Sequence, residues 1–546
     1  MTLDSGGPDD PPVPATRVAL RALAVALLLL VLAASSGEAH DSLPPDLDAY
    51  AARTLKAFEV PGMAVAVVKD GKVVMARGYG VRELGKAPPV DANTLFGIAS
   101  NSKAFTSAVL AMLVDDGRIA WDDPVIQYLP AFQMYDPWVT REMTIRDLLA
   151  HHSGLGPNAG DLMSFPPTTF SRDEIVRRLR FLRPVTSFRS RYAYDNVLYL
   201  VAGEVVRAVT GRTWDECVKE RIFAPLGMTR SNTSIEALRS ADDVATPHSR
   251  VAGRVTPIEY MNIDNVAPAG AINSCAGDMA KWMIAQLGHG SIRGAAGERR
   301  LFSERQSREM WSPQTIIPID DLPPPLAALR PAFLADGLGW FLRDFRGHKM
   351  VWHTGGISGM VSRVTLIPDQ NVGIAVFTNQ QDDGAFQAMT YHILDRYLGF
   401  PETDWIDAFR AAGEAARRNA DEAVNRRSRT RAVDSKPSLP LPNYAGTYRD
   451  AWYGNVTITE EHGGLVLRFS RTPLLVGDLE HWQYDTFVAR WRDRRLNADA
   501  FVTFALTPDG SIDQMKMQPI SPSSDIRCDF QDLLFVPAGR DGKPPS

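Results

Sequence analysis

The sequence is poor in cysteine and has no excess of positive charge. Its 546 residues include three cysteines, Cys217, Cys275 and Cys528, too few for a disulfide-stapled scaffold or a cysteine-based zinc cluster. The net charge is −5, from 59 basic and 64 acidic residues, so nucleic acid is not expected as a partner. Cys217 and Cys275 are expected to be buried thiols, although export leaves a bond between them open.

Long apolar runs are also missing, except for Ala22–Ala34 near the N-terminus. Arg17 and Arg21 precede this run, and the small residues Gly37 and Ala39 follow it. The pattern is typical of a secretory signal peptide that is cleaved after Ala39; the alternative is an uncleaved anchor. We therefore expect an exported protein, periplasmic or extracellular, with no stable membrane insertion beyond this segment.

Two common hydrolase motifs are absent. A conventional α/β-hydrolase needs Gly-x-Ser-x-Gly, and the nearest match, residues 356–360, lacks the final glycine. A zinc hydrolase needs a motif such as His-Glu-x-x-His, and none of the ten histidines has that setting. The sequence predicts neither a metal ion nor another cofactor.

The composition, 45% hydrophobic and 23% charged, is that of a globular protein. Residues 62–80 form a predicted hairpin around Asp70-Gly71, and residues 364–379 form a second one. Between the two hairpins, the apolar residues of Lys103–Val114 and Asn196–Val209 have the spacing of a helix. Strands from both ends of this region with helices inserted between them predict a two-lobed α+β domain.

The C-terminal part has a different pattern. A proline-rich stretch, 312–335, is predicted to be a surface loop, and the charged stretch 404–432 a solvated helix. After a linker at 435–442, short alternating strands predict a small all-β domain. Its aromatic residues are expected to fill a barrel core rather than a ligand cavity; they include Trp452, Trp482 and Trp491.

The strongest chemical signal is Ser100-x-x-Lys103 at the start of an apolar helical run. Residues three apart on a helix are neighbours, so the Lys103 amine can lie beside the Ser100 hydroxyl. The helix N-terminus supplies free backbone N–H groups and a positive dipole end. These features suit a serine that attacks a carbonyl group.

Further motifs follow in the order Tyr194-x-Asn196 and then His353-Thr354-Gly355. With Ser100-x-x-Lys103, they make the sequence resemble the serine β-lactamase and penicillin-binding-protein superfamily, in its class C-like branch. Three accessory blocks also match that family; they are residues 148–155, 268–282 and 337–340.

The resemblance implies an architecture. It predicts the α+β β-lactamase/transpeptidase-like fold, an antiparallel sheet flanked by helices with a mainly helical lobe, followed by a small all-β, barrel-like domain. The expected organisation is a signal peptide over residues 1–39 and a β-lactamase-like hydrolase domain over residues 40–402. A helical and proline-rich linker over residues 403–441 and a C-terminal β domain over residues 442–540 follow.

The resemblance also implies a mechanism. Ser100 forms an acyl-enzyme, and Tyr194 beside Lys103 takes the serine proton and later activates water. A nearby cation is expected to lower the pKa of Tyr194. Asn196 is expected to bind the acyl side chain of the substrate, His353, Thr354 and Gly355 to line the binding strand, and the backbone N–H groups of Ser100 and Gly356 to form the oxyanion hole.

The third motif departs from the family because it begins with His353 rather than lysine. A neutral imidazole anchors a substrate carboxylate less well than a permanent cation. We therefore expect an ester, an amide or a D-amino-acid peptide as the small-molecule or peptide substrate. A β-lactamase or D-Ala-D-Ala carboxypeptidase is the alternative, and a catalytically silent binding or sensor protein of the same fold is a third. His152 stands where the family usually has threonine, and it is expected to have a role in loop structure.

Overall fold

A computed structural model describes residues 42–294, 297–522 and 528–539; the predicted signal peptide lies outside them. Within these residues, one antiparallel eight-stranded sheet has the strand order β2-β1-β14-β13-β12-β11-β10-β9, and a separate closed barrel contains β15 to β22 in sequence order. The strands are β1 Gly62–Lys69, β2 Lys72–Gly80, β3 Phe96–Gly97, β4 His248–Val251, β5 Arg254–Pro257, β6 Asn273–Ser274, β7 Ser291–Gly294, β8 Gly297–Arg300, β9 Thr315–Ile316, β10 Leu334–Asp336, β11 Phe341–Phe345, β12 His348–Ile357, β13 Met360–Ile367, β14 Val372–Thr378, β15 Gly446–Asp450, β16 Gly454–Glu461, β17 Gly464–Phe469, β18 Val476–Gln483, β19 Thr486–Trp491, β20 Ala500–Leu506, β21 Ile512–Pro519 and β22 Leu534–Pro537.

Most helices of the described residues lie between β2 and β11. The α-helices are α1 Leu47–Ala57, α2 Ser102–Asp115, α3 Val125–Tyr128, α4 Pro137–Glu142, α5 Arg172–Arg178, α6 Val197–Thr210, α7 Trp214–Val218, α8 Ala224–Leu226, α9 Ile235–Arg239, α10 Ala267–Gly270, α11 Ala276–Leu287, α12 Glu304–Met310, α13 Asp383–Tyr397 and α14 Trp405–Arg429. Short 3-10 helices near the site include Ala99–Asn101 and Asp161–Met163. The α+β architecture expected from the sequence is confirmed.

The central strand β1 is apolar on both sides because the sheet is covered on both faces. Val65 and Val67 belong to the core that packs against α1, α13 and α14. Ala64 and Ala66 point to the opposite face, into the core of the helical lobe. This alternation is the side-chain period of a strand. The predicted hairpin turn is also present, with Asp70 and Gly71 both at positive φ.

Helix α2 is buried over nearly its whole length, which explains why its sequence is apolar on all sides. Phe105 stacks on Trp282 of α11 with ring centroids 4.0 Å apart. Packing of this kind from several directions holds the helix rigidly. The first turn of α2, which contains Lys103, is therefore a firm base for a reactive group.

The C-terminal barrel is filled by aromatic side chains, as expected. Trp452 and Trp491 are buried, and Trp491 packs on Phe469. The prediction is wrong for Trp482, which is half-buried outside this core with the Arg431 guanidinium 4.7 Å from its ring. Its position at the end of β18, next to the segment that follows α14, explains the difference.

The proline-rich stretch 312–335 is not entirely a loop. Its two ends form β9 and β10, which extend the sheet at the edge next to β11. The three cysteines are buried. Among the described residues, no helix combines the length and the apolar character needed to cross a bilayer.

Candidate active site

Ser100 lies in the middle of the 3-10 turn Ala99–Asn101, directly before α2. We call these three residues the Ser100 turn. Ala99 has φ +46°, a left-handed conformation that is unfavourable for a residue with a side chain. The Ser102 hydroxyl holds the turn by donating to the Ala99 carbonyl at 2.7 Å and accepting from the Ile272 N–H at 3.1 Å. The surrounding structure therefore imposes the geometry of the turn.

Lys103 is fully buried, and its Nζ has three oxygen neighbours. The distances are 3.2 Å to Ser100 Oγ, 2.7 Å to Asn196 Oδ1 and 3.1 Å to the Ala269 carbonyl oxygen. Burial lowers the pKa of Lys103 to about 7, against the opposing effect of nearby carboxylates, Asp161 first. A substantial fraction of this amine is therefore neutral at neutral pH.

The two other acceptors of Lys103 determine what Ser100 can do. The Ala269 carbonyl and the Asn196 side-chain oxygen can only accept hydrogen bonds. When Lys103 is neutral, its two N–H groups can satisfy these two acceptors, which leaves the lone pair for the Ser100 hydroxyl. The site is thus arranged for Ser100 to donate its proton to Lys103.

Tyr194 lies next to the same pair of residues. Its ring centroid lies 4.7 Å from Lys103 Nζ, and Tyr194 and Ser100 both line the cleft. The expectation of a lowered pKa is wrong, because desolvation of the hydroxyl raises the pKa of Tyr194 well above its usual range. Tyr194 is therefore a neutral phenol at neutral pH, and Lys103 is the group with a pKa suited to a base.

Asn196 lines the cleft, but its amide is engaged within the protein. Its Nδ2 donates to both carboxylate oxygens of Asp161, at 2.9 and 3.1 Å, while its Oδ1 accepts from Lys103. Asp161 is buried in the 3-10 helix Asp161–Met163. Asn196 thus orients the Lys103 amine, in addition to any contact that it makes with a substrate.

Strand β12 brings the third motif to the Ser100 turn. Gly355 is required there because a Cβ atom would lie 2.0 Å from the Ile98 carbonyl oxygen. A Cβ on Gly356 would meet nothing within 4 Å, since this residue opens to the cleft. Thr354 also lines the cleft. The predicted residues of all three motifs therefore meet around one space.

His353 is buried beside Phe341, with ring centroids 4.8 Å apart. Burial, helped by the charge of Lys103, lowers the pKa of His353 to about 3. The imidazole is therefore neutral over the physiological range, in agreement with the expectation that it does not act as a permanent cation.

The adjacent histidines, His151 and His152, differ in position. His152 bonds through both ring nitrogens, to Asp147 at 2.8 Å and to Thr315 Oγ1 at 2.8 Å, which fits a role in loop structure. His151 instead contacts Tyr194, with ring centroids 4.3 Å apart, and accepts from the Asp195 N–H. Sequence reasoning missed this contact.

Asp161 and the Ala269 carbonyl were also missed as partners of the motif residues. Ala269 lies in the Pro-Ala-Gly block matched to the family, which was the one available signal for it. No motif marks Asp161. Among the described residues, no three His, Cys, Asp or Glu side chains converge so as to hold a metal ion.

The cleft above Ser100 has a volume of about 1020 Å³ and extends to the barrel. Aromatic and aliphatic side chains near the motif residues include Phe165, Ile263 and Phe341. Charged side chains line other parts of it, including Arg410 of α14 and Arg495 of the barrel. A space of this size is at the upper end for small-ligand sites.

Both parts of the chain are similar to known protein families. A family model described as Beta-lactamase matches residues 47–398, and one described as a domain of unknown function (DUF3471) matches residues 430–537. Unguisins hydrolase ungD' of Aspergillus campestris is 32% identical over 447 residues, 77% of this chain and 78% of that protein. Penicillin-binding protein 4 of Amycolatopsis lactamdurans is 30% identical over 332 residues, 59% of this chain and 81% of that protein.

Solved structures show the same fold. An octameric penicillin-binding protein homologue from Pyrococcus abyssi has a TM-score of 0.57 at 19% identity, covering 90% of this chain and 99% of its own. D-amino acid amidase from Ochrobactrum anthropi, complexed with L-phenylalanine amide, has a TM-score of 0.51 at 22% identity, covering 65% of this chain and 97% of its own. The match of the family model and the shared fold establish that this chain belongs to the serine β-lactamase and penicillin-binding-protein superfamily, a family of serine hydrolases.

Proposed function

We propose that this protein is an exported serine hydrolase that cleaves ester or amide bonds through an acyl-enzyme on Ser100. The observation that carries the proposal is the hydrogen-bond arrangement of Lys103. Its Nζ lies 3.2 Å from Ser100 Oγ, while its other two neighbours can only accept hydrogen bonds. The apolar run Ala22–Ala34 near the N-terminus supports the proposal that the protein is exported.

In the acylation step, the neutral Lys103 amine takes the Ser100 proton as Oγ attacks the substrate carbonyl carbon. The carbonyl oxygen becomes an oxyanion, which the backbone N–H groups of Ser100 and Gly356 stabilise. The tetrahedral intermediate then collapses and the bond to the leaving group breaks. The proton on Lys103 passes to the leaving group through the Tyr194 hydroxyl.

Deacylation repeats these steps with water as the nucleophile. Lys103, with Tyr194, removes one proton from the water, whose oxygen attacks the acyl carbon. The Ser100–acyl bond breaks, and Ser100 Oγ recovers a proton from the same pair. The products are a carboxylic acid and the free alcohol or amine.

We propose peptides or amides that contain D-amino acids as the preferred substrates. The roomy cleft supports an extended substrate, and the neutral His353 argues against recognition that depends on a substrate carboxylate at this position. One relative is named for hydrolysis of unguisins, and one structural neighbour is a D-amino acid amidase. The second candidate is a β-lactamase or D-Ala-D-Ala carboxypeptidase, which the similarity to penicillin-binding protein 4 supports.

A substrate panel tests this order of preference. Purified full-length protein is incubated with a p-nitrophenyl ester, matched D- and L-aminoacyl amides, and nitrocefin. We expect ester turnover and a preference for the D-amide over the L-amide. Fast nitrocefin turnover without ester or amide hydrolysis would reverse the order. Folded protein that shows neither an ester burst nor labelling by a fluorophosphonate would support a binding or sensor protein instead.

A further inference from the structure

The barrel contacts the hydrolase domain close to the active site. Arg471 of the barrel donates to the Thr169 carbonyl at 2.9 Å and to Glu174 at 3.0 Å. Arg178 of α5 donates to the Trp452 carbonyl in the barrel at 2.7 Å. These contacts attach the barrel to the segment that follows the 3-10 helix Asp161–Met163.

Asp529 reaches further into the hydrolase domain than these residues. Its side chain is fully buried, and its carboxylate accepts hydrogen bonds from the Gly160 N–H at 2.6 Å and from the Leu162 N–H at 3.0 Å. Gly160 has φ +83°, which fits glycine. The two N–H groups come from the residues on either side of Asp161, so Asp529 fixes the backbone that places the Asp161 side chain.

From Asp161, a continuous chain of hydrogen bonds leads to the nucleophile. Asp161 accepts from Asn196 Nδ2 at 2.9 Å, and Asn196 Oδ1 accepts from Lys103 Nζ at 2.7 Å. Lys103 Nζ in turn lies 3.2 Å from Ser100 Oγ. Each link involves a buried side chain with little freedom to compensate for a shift of its neighbour.

We propose that Asp529 of the C-terminal barrel is a positioning residue for Lys103, acting through Asp161 and Asn196; the inference rests on the proposed role of Lys103 as the base. The barrel thus completes the active site of the hydrolase domain rather than being only an appended module.

Burial of the Asp529 carboxyl group is energetically unfavourable, and a contact that only joins two domains does not need such a group. Burial first, and then the neighbouring Asp161, raise the pKa of Asp529 well above its usual range. An apolar or neutral side chain would join the two surfaces without placing a second carboxyl group near the first. The two oxygens of the Asp529 carboxyl group do supply one acceptor to each of the two N–H groups.

The rate at which Ser100 reacts with a fluorophosphonate tests the proposal without knowledge of the natural substrate. Full-length wild type, Asp529→Ala and Asp529→Asn are labelled over a range of probe concentrations, which separates the maximal rate from the apparent affinity. We expect Asp529→Ala to lower the maximal rate on the order of tenfold or more with little change in affinity, because the base is misplaced. Asp529→Asn keeps the size and one acceptor, and should recover part of the rate.

Arg471→Ala is the matched control, since it removes barrel contacts without touching Asp161. Its maximal labelling rate should stay within about twofold of wild type, and melting temperatures will show how far each variant is destabilised. If Asp529→Ala does not fold, Asp529→Asn is compared with the same control. A wild-type rate in the Asp529 variants, or an equal loss in Arg471→Ala, would overturn the inference. A wild type that does not react at all would instead overturn the proposed function.

Discussion

The side-chain oxygen of Asn196 lies 2.7 Å from Lys103 Nζ, closer to that nitrogen than Ser100 Oγ at 3.2 Å. In the resting site Asn196 therefore fixes the direction of the Lys103 amine. The lone pair of the neutral amine is then left for the Ser100 hydroxyl. Asn196 is in turn oriented by Asp161, which accepts from the other end of the same amide. Hydrogen bonds thus join four side chains from three separate segments of the chain.

Removal of the nucleophile should abolish turnover. Ser100→Ala leaves no hydroxyl to form the acyl-enzyme, whereas binding residues in the cleft stay in place. Hydrolysis of a p-nitrophenyl ester should fall to the uncatalysed rate, with an unchanged circular dichroism spectrum. Residual burst kinetics in this variant would refute Ser100 as the nucleophile.

Tyr194→Phe should reduce kcat at least about a hundredfold, the usual scale for loss of an acid–base group. The phenylalanine keeps the ring contacts with His151 and Phe341 and removes only the hydroxyl. Tyr192→Phe is a suitable control, because Tyr192 also packs against His151 and Phe341. Equal losses in the two variants would contradict a specific role for the Tyr194 hydroxyl.

Asn196→Ala should lower kcat on the order of a hundredfold, since Lys103 loses the acceptor that orients it. The control is Gln381→Ala, an amide that lines the same cleft and whose side-chain oxygen accepts from the Gly359 N–H at 3.4 Å. Steady-state kinetics with a small ester distinguish the roles. If Asn196→Ala raises KM but leaves kcat unchanged, Asn196 acts in substrate binding alone.

The rate should depend on pH through Lys103. Because only the neutral amine accepts the serine proton, kcat/KM should fall about tenfold per pH unit below the Lys103 pKa of about 7 and level off above it. Lys103→Arg should be inactive throughout, since arginine stays charged.

The same profile tests the state of His353. Its pKa of about 3 keeps the imidazole neutral over the range of the measurement. A His353→Gln variant should therefore keep the midpoint of the profile, even where its absolute rate changes. A midpoint that moves by a pH unit or more would assign the titration to His353 instead.

Gly355→Ala should destabilise the protein and impair labelling of Ser100. Its new Cβ would lie 2.0 Å from the Ile98 carbonyl oxygen and 2.5 Å from Ser362 Oγ, so β12 must move away from the Ser100 turn. We expect a loss of about 1–3 kcal/mol of unfolding free energy. Gly356→Ala, whose Cβ meets nothing within 4 Å, should keep the melting temperature of wild type. Equal melting temperatures for both variants would contradict the close approach.

Local patterns predicted much of the framework because they depend on nearby residues. The turn at Asp70-Gly71 and the hairpin β13–β14 follow from alternation and turn chemistry, and α2 and α6 begin and end within about two residues of the predicted bounds. The family motifs also identified the residues that line the cleft. The edge strands β9 and β10 were not predicted, since they are very short and lie within or at the end of a proline-rich stretch.

The sequence by itself determined the reactive groups, their order along the chain and the fold that brings them together. Only the tertiary structure decided their protonation, because burial lowers the pKa of Lys103 and raises that of Tyr194, the reverse of what their proximity alone indicates. It also decided the supporting contacts, Asn196 to Asp161 and Asp529 to the flanking backbone. Such contacts join residues far apart in the chain, so no local pattern carries them.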